Sequence, residues 1–573
     1  MTHKEIREKY FEFITSKGFE IIPSAPLVPE NDPSVLFTTA GVQPLVPYLM
    51  GEKHVKGNKI ADIQKCTRTV DLEEVGDTTH LSFFEMIGYW YLGGENLKQK
   101  GVETTFEMFF TDKGFNLDIN KAYVTCYENP ETGEKDTESS NKWKELGIDE
   151  NRIFYTTDSN WWETGQNGPC GPDTEVFYTI SDDEISISSL DDFKKADKEG
   201  KIVEIGNTVF MLFEKKAGEI VGSLSQQNVD FGGGFERLAM AVQNKRNVYE
   251  TDLFSTLLEK VSGNRIIADH IRTSVMMISD GVTPSNTDQG YVLRRLIRRT
   301  LRFAKESNIS KTILIEAAFE VLTNYEGTYK LSTKKEVEEI LGDEIDKFEK
   351  TLEKGLKEFE KMSKNGTISG RDAFILFTTH GFPFEITKEL ADEKGISISE
   401  EDFTKELEEH KKLSQTSSAG KFKGGLAGNS DIEIKYHTAT HLLNAALRKE
   451  LGDHISQKGS NINTERMRFD FTHDEKIEKD VLEKIEAQVN EWISQAVPVE
   501  KIEMTYQKAK DMGAIGVFDD KYGDVVSVYK IGKISSELCG GPHVKSTGEI
   551  GKFTIKKEES SSKGVRRIKA VIE

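Results

Sequence analysis

Two short stretches constrain this chain more than anything else in it: "HTATHLLNAALRK", beginning at His437, and "CGGPHV", beginning at Cys539 far downstream. His437 and His441 stand at i and i+4, so one helical face presents both imidazoles. Cys539 and His543 are separated by two glycines and a proline, the composition of a turn. Two helical histidines by themselves often only share a surface. Joined by a Cys/His pair at domain-scale separation, they form a four-donor N/S set that suits zinc. Any fold of the chain therefore has to seat a distant turn against the start of that helix.

The remainder is organised in blocks. At 573 residues the chain exceeds one hydrophobic core, and roughly 150 residues per domain predicts about four units. "THKE" at Thr2–Glu5 fits a capping box, and Ile6, Tyr10, Phe13 and Ile14 recur at helical spacing until Gly18. "FEIIPSAPLVP" reads as extended, and the stretch to Tyr91 alternates apolar runs with Gly and Asp turns, as antiparallel strands do. Residues 242–413 read as mainly helical and highly charged. "SQTSSAGKFKGGLAGNSD" from Ser414 reads as a linker. The class is α+β and multidomain. There is no apolar leader and no run of about 20 apolar residues, which predicts a cytoplasmic protein with no membrane partner. Four scattered cysteines form no disulfide framework. A net charge of -21 argues against non-specific coating of nucleic acid and leaves a local basic face open.

No GxxxxGK[ST] loop and no GxGxxG after a strand is present, so the common phosphate cradles are missing. "DFGGGFERLAM" at Asp230–Met240 is the remaining candidate: glycines permit close backbone approach, and Arg237 stands where a helix begins. Arg68, in "KCTRTVDLEEVGDTTHLSFFEMIGYW", lies on a strand-loop-strand. Alone, the Arg237 stretch reads equally well as a strand-to-helix turn with a surface arginine, and Arg68 by itself reads more readily as a surface residue than as a ligand to phosphate. In "YVLRRLIRRTLRFA", Arg294, Arg295, Arg298, Arg299 and Arg302 recur at spacings of three and four opposite Leu293, Leu296, Ile297 and Leu301. That is a basic stripe, or a solvated helix face.

The ordered segments "IIPSAPLVPENDPSVLFTTAGVQP", "KCTR…FFEMIG", "NWWETGQNGPCGPDTEVFY", "GNTVFMLF" and "VDFGGGFERL" resemble the alanyl-tRNA synthetases, a family of class II aminoacyl-tRNA synthetases. The resemblance implies an antiparallel sheet flanked by helices over residues 1–241 that forms alanyl-adenylate from L-alanine and Mg²⁺·ATP. It matches Arg68 to the motif 2 arginine on the α-phosphate and Arg237 to the motif 3 arginine. Asp230 matches the acid that holds the substrate ammonium, and Trp162, Asn207, Val209 and Gly232 match the walls of a small pocket. Residues 242–413 then become a helical acceptor-stem recognition domain for tRNA(Ala), with Asn286 reading its G·U pair beside Arg294, Arg295, Arg298 and Arg299. The family's partner aspartate corresponds here to Thr378. A longer, basic motif 2 loop is replaced by "TVD" directly after Arg68.

Residues 414–430 are the linker, and residues 431–573 resemble the family's α+β editing domain through "HTATHLLNAALRKELGDHISQKGS", "RMRFDF", "ELCGGPHV" and "KGVRRIKAV". Zinc on His437, His441, Cys539 and His543 then either activates water or orients the ester of mischarged seryl- or glycyl-tRNA. A methyl or hydroxyl of difference gives only about 10 to 200-fold selectivity in the first pocket, which explains a second site. Threonyl enzymes carry this module ahead of the core, and freestanding deacylases lack the core. The β-barrel commonly preceding the first histidine pair and the C-terminal dimerisation region are missing, so a short-form monomer is expected. The alternative function is a non-charging RNA-binding or trans-editing paralogue.

Overall fold

The computed structural model describes residues 1–29, 35–69, 72, 74–180, 185–419, 430–514, 525–562 and 564–573. The first helix, His3–Ser16, starts on the expected reciprocal cap, with the Thr2 side chain on the Glu5 N–H and the Glu5 carboxylate on the Thr2 N–H. It ends ahead of Gly18, whose φ of +78 is the left-handed conformation that glycine adopts without strain. Ile6, Tyr10, Phe13 and Ile14 form its buried face.

A nine-stranded sheet carries the N-terminal half. Its strands are β1 (Glu20–Ile21), β2 (Lys59–Thr67), β3 (Phe83–Leu92), β4 (Ala122–Tyr127), β5 (Ile153–Thr156), β6 (Trp161–Glu163), β7 (Gly168–Thr179), β8 (Ile202–Lys216) and β9 (Glu219–Gly234). The order is β1-β2-β3-β9-β8-β7-β4-β5, with β6 paired to β7. The middle is antiparallel as expected, whereas the edge pairs β1·β2 and β4·β5 are parallel, so the sheet is mixed. Of the stretch expected to be extended after Gly18, only Glu20–Ile21 pairs as strand.

Met1–Thr367 and Ile375–Ile396 make one compact unit. In it, the helices Arg265–Ser279, Asp288–Glu306, Lys311–Asn324 and Lys334–Met362 follow the sheet. A buried ion network ties them to it: Arg7 donates to Glu85 at 2.6 Å, and Arg272 donates to the Phe83 carbonyl at 2.9 Å and to Glu236. Glu236 in turn accepts the Glu85 N–H at 3.2 Å. A buried cation left without an acid is costly, so each arginine fixes two elements at once.

Ile368–Phe374 and Ser397–Glu573 form the second unit. Helix Glu400–Ala419 takes in Ser414–Ala419, so the expected linker starts later than Ser414, and its residues 420–429 lie outside the described residues. Ser430 then caps the helix Asp431–Leu451 through a capping box with Glu433. This helix and Lys479–Ser494 pack with the sheet β10 (Gln457–Ile462), β11 (Met467–Thr472), β15 (Phe553–Ser562) and β16 (Val565–Ile572) around Leu442, Leu443, Phe469 and Ile568. The strands β12 (Val499–Thr505), β13 (Val525–Ile531) and β14 (Ser535–Leu538) form a smaller sheet. "RMRFDF" and "KGVRRIKAV" prove to be the paired strands β11 and β16, clamped by the fork of Arg567 on both Asp470 oxygens at 2.7 and 2.9 Å.

Candidate active site and candidate metal centre

Strand register gathers most of the predicted pocket onto one sheet face. Asn207 lies opposite Gly232, and Val209 opposite Asp230, in the β8·β9 pair. Cross-strand partners share a face and so do residues two apart, so these four form one patch. Across β3, Gly88 faces Gly232 and Trp90 faces Asp230. A Cβ on Gly88 would stand 2.3 Å from the Trp90 ring, so glycine there lets the indole fold across the strand. Trp162 packs against the apolar cluster that holds Trp90, Val209 and Met211, whereas its neighbour Trp161 stacks on Phe213 with centroids 6.0 Å apart. Gly232 has no room for more: a Cβ would meet the Met86 sulfur at 3.1 Å.

Asp230 is buried, and burial raises its carboxyl to about 7. The Trp90 indole N–H opposes that rise without reaching hydrogen-bond geometry. A carboxylate kept this dry is poised for an organic cation, whose charge would restore the ionised form. Sequence reading missed three further acids within the sheet, of which Asp62 and Asp173 are buried and Glu175 is half-buried. Asp62 is pushed well up by burial and then by the Asp230 charge. Asp173 is raised to about 7, and Glu175 is also raised, both mainly by burial. Asn160 donates to Asp173 at 2.8 Å, and Asn207 donates to Glu175 at 3.4 Å. Acids inside otherwise apolar strands were the available signal.

Next to this patch is a cleft of about 140 Å³ lined by Arg68, Phe84, Met86, Glu204, Gly232–Gly234 and Arg237. Arg68 is exposed just past the end of β2; its guanidinium lies 4.9 Å from the Phe84 ring centroid and donates to the Thr39 carbonyl at 3.2 Å. Arg237, on the helix Phe235–Val242, reaches Glu204 at 3.3 Å. Two guanidiniums over a glycine-lined floor are suited to an anion, which would compete with Glu204 for Arg237. Of the "TVD" that follows Arg68, Val70 and Asp71 lie outside the described residues.

The arginine helix Asp288–Glu306 divides its side chains differently from the expected stripe. Arg294 donates to the Asn286 side-chain oxygen, orienting that amide, and Arg298 donates to Glu344 at 2.8 Å. Arg295 is half-buried. Arg299 and Arg302 are buried, with Arg299 on Glu389 and Arg302 on Glu389 and Glu393. Position on the helix therefore puts Arg299 against the protein interior instead of on an exposed basic face. Thr378 lies on the helix Gly370–His380.

In the second unit the fold meets the opening constraint. The ligand atoms of His437, His441, Cys539 and His543 lie within 4.8 Å of one another. Two rings have an Nδ1 partner, the Pro542 carbonyl at 2.9 Å for His437 and Thr438 Oγ1 at 3.1 Å for His543, while Glu537 lies 3.3 Å from His441 Nδ1 without hydrogen-bond geometry. His437 Nε2 is 3.3 Å from the Cys539 sulfur, and His543 Nε2 is buried without a partner. Burial lowers His437 to about 3 and His441 to about 4, lowers His543 further, and lifts the Cys539 thiol to about 11. Neutral imidazoles oriented through their outer nitrogens, with an orphaned inner nitrogen among them, fit a metal ion.

Residues 5–486 match the family model described as tRNA synthetases class II (A), and residues 526–569 match the threonyl and alanyl tRNA synthetase second additional domain. An alanine–tRNA ligase of Treponema denticola is 45% identical, spanning 100% of this chain and 99% of the relative. One of Borreliella burgdorferi is 43% identical over 100% of both chains. One of Thermotoga maritima is 33% identical over 100% of this chain and 80% of its own length. Among solved structures, a pyrrolysyl tRNA synthetase of Desulfitobacterium hafniense aligns with 43% of this chain and 71% of its own at 13% identity. Its TM-score of 0.24 carries no argument. Among the described residues, no helix is long and apolar enough to cross a membrane.

Proposed function

This chain belongs to the class II alanyl-tRNA synthetases, and on that premise we infer that it is an ATP-dependent alanine–tRNA ligase. The observation that carries the reading is the juxtaposition of a two-arginine, glycine-floored cleft with a buried acid beside an apolar wall. Asp230 binds the alanine ammonium while Val209 and Trp162 bound its methyl group. The substrate carboxylate attacks the α-phosphorus of Mg·ATP, an O–P bond forms, and pyrophosphate leaves. Arg68 offsets the charge growing on the α-phosphate, and Arg237 holds the distal phosphates or the adenine. The terminal ribose hydroxyl of tRNA then takes the alanyl group and releases AMP.

For tRNA we assign Asn286, Arg294, Arg295 and Arg298 to the acceptor stem, and give Arg299 the internal role its burial supports. The functional division is 1–241 for adenylation, 242–413 for stem recognition, 414–430 as linker and 431–573 for editing of seryl- and glycyl-tRNA(Ala). Zinc is the ion the three imidazoles and one thiol favour; when bound it supplies a Lewis acid at the ester or a structural clamp. Cytoplasmic location and a monomeric state complete the reading, the latter checked by light scattering.

Alanine-dependent exchange of pyrophosphate into ATP tests the ligase and also separates it from a non-charging paralogue, which would show none. Hydrolysis of preformed seryl-tRNA(Ala), selective over alanyl-tRNA(Ala) and lost in Cys539→Ala, tests the editing centre. Persistent hydrolysis in that variant would remove the centre from the reaction.

A further inference from the structure

Arg299 is buried on the helix that follows Asn286, yet its side chain reaches the strand-loop-strand that carries Arg68. One terminal nitrogen donates to the Leu72 carbonyl at 2.7 Å and to His270 Nε2 at 2.8 Å, and Nε donates to Glu389. A guanidinium has no acceptor, so His270 Nε2 must be the acceptor and its proton sits on Nδ1. That Nδ1–H donates to Asp269 at 2.8 Å. Asp269 holds Ser82 twice, through its backbone N–H at 2.9 Å and through its hydroxyl. The Ser82 carbonyl then accepts the Arg68 N–H at 3.0 Å. The donations converge: Arg299 donates to both Glu389 and His270, Asp269 accepts from both His270 and Ser82, and the Ser82 hydroxyl also lies 2.7 Å from Thr273 Oγ1, so contiguous hydrogen bonds join Glu389 to Arg68. His270, Asp269 and Ser82 are fully buried, which leaves water no part in the network.

We propose that Arg299 and His270 are positioning residues for Arg68, holding both ends of the loop between Arg68 and Phe84 and tying its geometry to the helices 288–306 and 384–393. The proposal rests on the phosphate role assigned to Arg68. An interaction that sets the place of a charge in the transition state affects turnover more than ground-state binding of a substrate held elsewhere.

The test is alanine-dependent pyrophosphate exchange by the full chain carrying His270→Ala, with Arg68→Ala and the double variant beside it. In His270→Ala, kcat should fall on the order of tenfold to a hundredfold, with KM for alanine unchanged. The double variant should be no worse than Arg68→Ala alone, because both substitutions remove one function. His270→Gln, which keeps an acceptor for Arg299, should recover part of the loss. Multiplicative losses in the double variant, or unaltered kcat in His270→Ala, would overturn the proposal. If the wild-type protein shows no exchange, the ligase reading fails, and amide hydrogen exchange still decides the relay. The Arg68 amide should exchange faster in His270→Ala and in Arg299→Lys than in wild type, and equal protection would sink the idea.

Discussion

Asp230 shows how one residue trades stability for binding. Its folded-state carboxyl titrates near 7 because burial penalises the charge, well above an ordinary aspartate. A raised carboxyl means the folded state holds a proton that the unfolded chain has lost. In the free protein its contribution to stability therefore falls as pH rises from about 4 to about 7 and is level above that. Asp230→Asn should accordingly raise the thermal midpoint more at pH 8 than at pH 5, while abolishing alanine-dependent exchange. Alanine affinity of the wild type should weaken as pH falls below about 7, when the acid protonates. An affinity flat from pH 6 to 8, by calorimetry or KM, would remove Asp230 from the ammonium site. The acid itself was legible beside its glycines in the sequence. Its dryness was not, because that comes from Trp90 and the strands on either side.

At the scale of elements, the arginine helix 288–306 divides its basic side chains between two jobs. Arg302 is buried against Glu389 and the half-exposed Glu393, so Arg302→Ala removes a buried guanidinium while Glu389 keeps Arg299 and Glu393 keeps solvent. A loss of about 1.5–3 kcal/mol is expected by denaturant titration. Arg298 is half-buried and its buried acceptor Glu344 keeps Arg294 at 3.3 Å, so Arg298→Ala should cost less than about 1.5 kcal/mol and instead weaken tRNA binding. Similar stability losses from the two substitutions would contradict this division. Spacing of three and four predicted a helix and an apolar side correctly. It had no means of telling Arg298 from Arg299, since the difference lies in acids some ninety residues onward and in Leu72 of a different strand-loop. The helix caps behaved oppositely: Thr2 with Glu5 was visible because both partners of the cap lie within four residues.

For the whole molecule, the proposed charging and editing chemistries fall in different compact units, and chelation should distinguish them. Removing bound metal should lower the unfolding transition of the unit containing residues 397–573, because the buried His543 Nε2 would then have no partner. Alanine-dependent exchange, assigned to the other unit, should persist when Mg²⁺ is resupplied. Loss of exchange under those conditions would show that the units are functionally interdependent. By itself the sequence determined what depends on order and residue type: the succession of segments, the four candidate metal donors, the glycine floor with its two arginines, and the capped start of the first helix. Only the tertiary structure decided which face each side chain serves. It set the register that brings Asn207 and Val209 opposite Gly232 and Asp230, the histidine nitrogens left facing inward, and the buried path from Glu389 to Arg68. The physical reason is that chemistry resides in a side chain, whereas its charge state and orientation belong to neighbours that the chain supplies from far away.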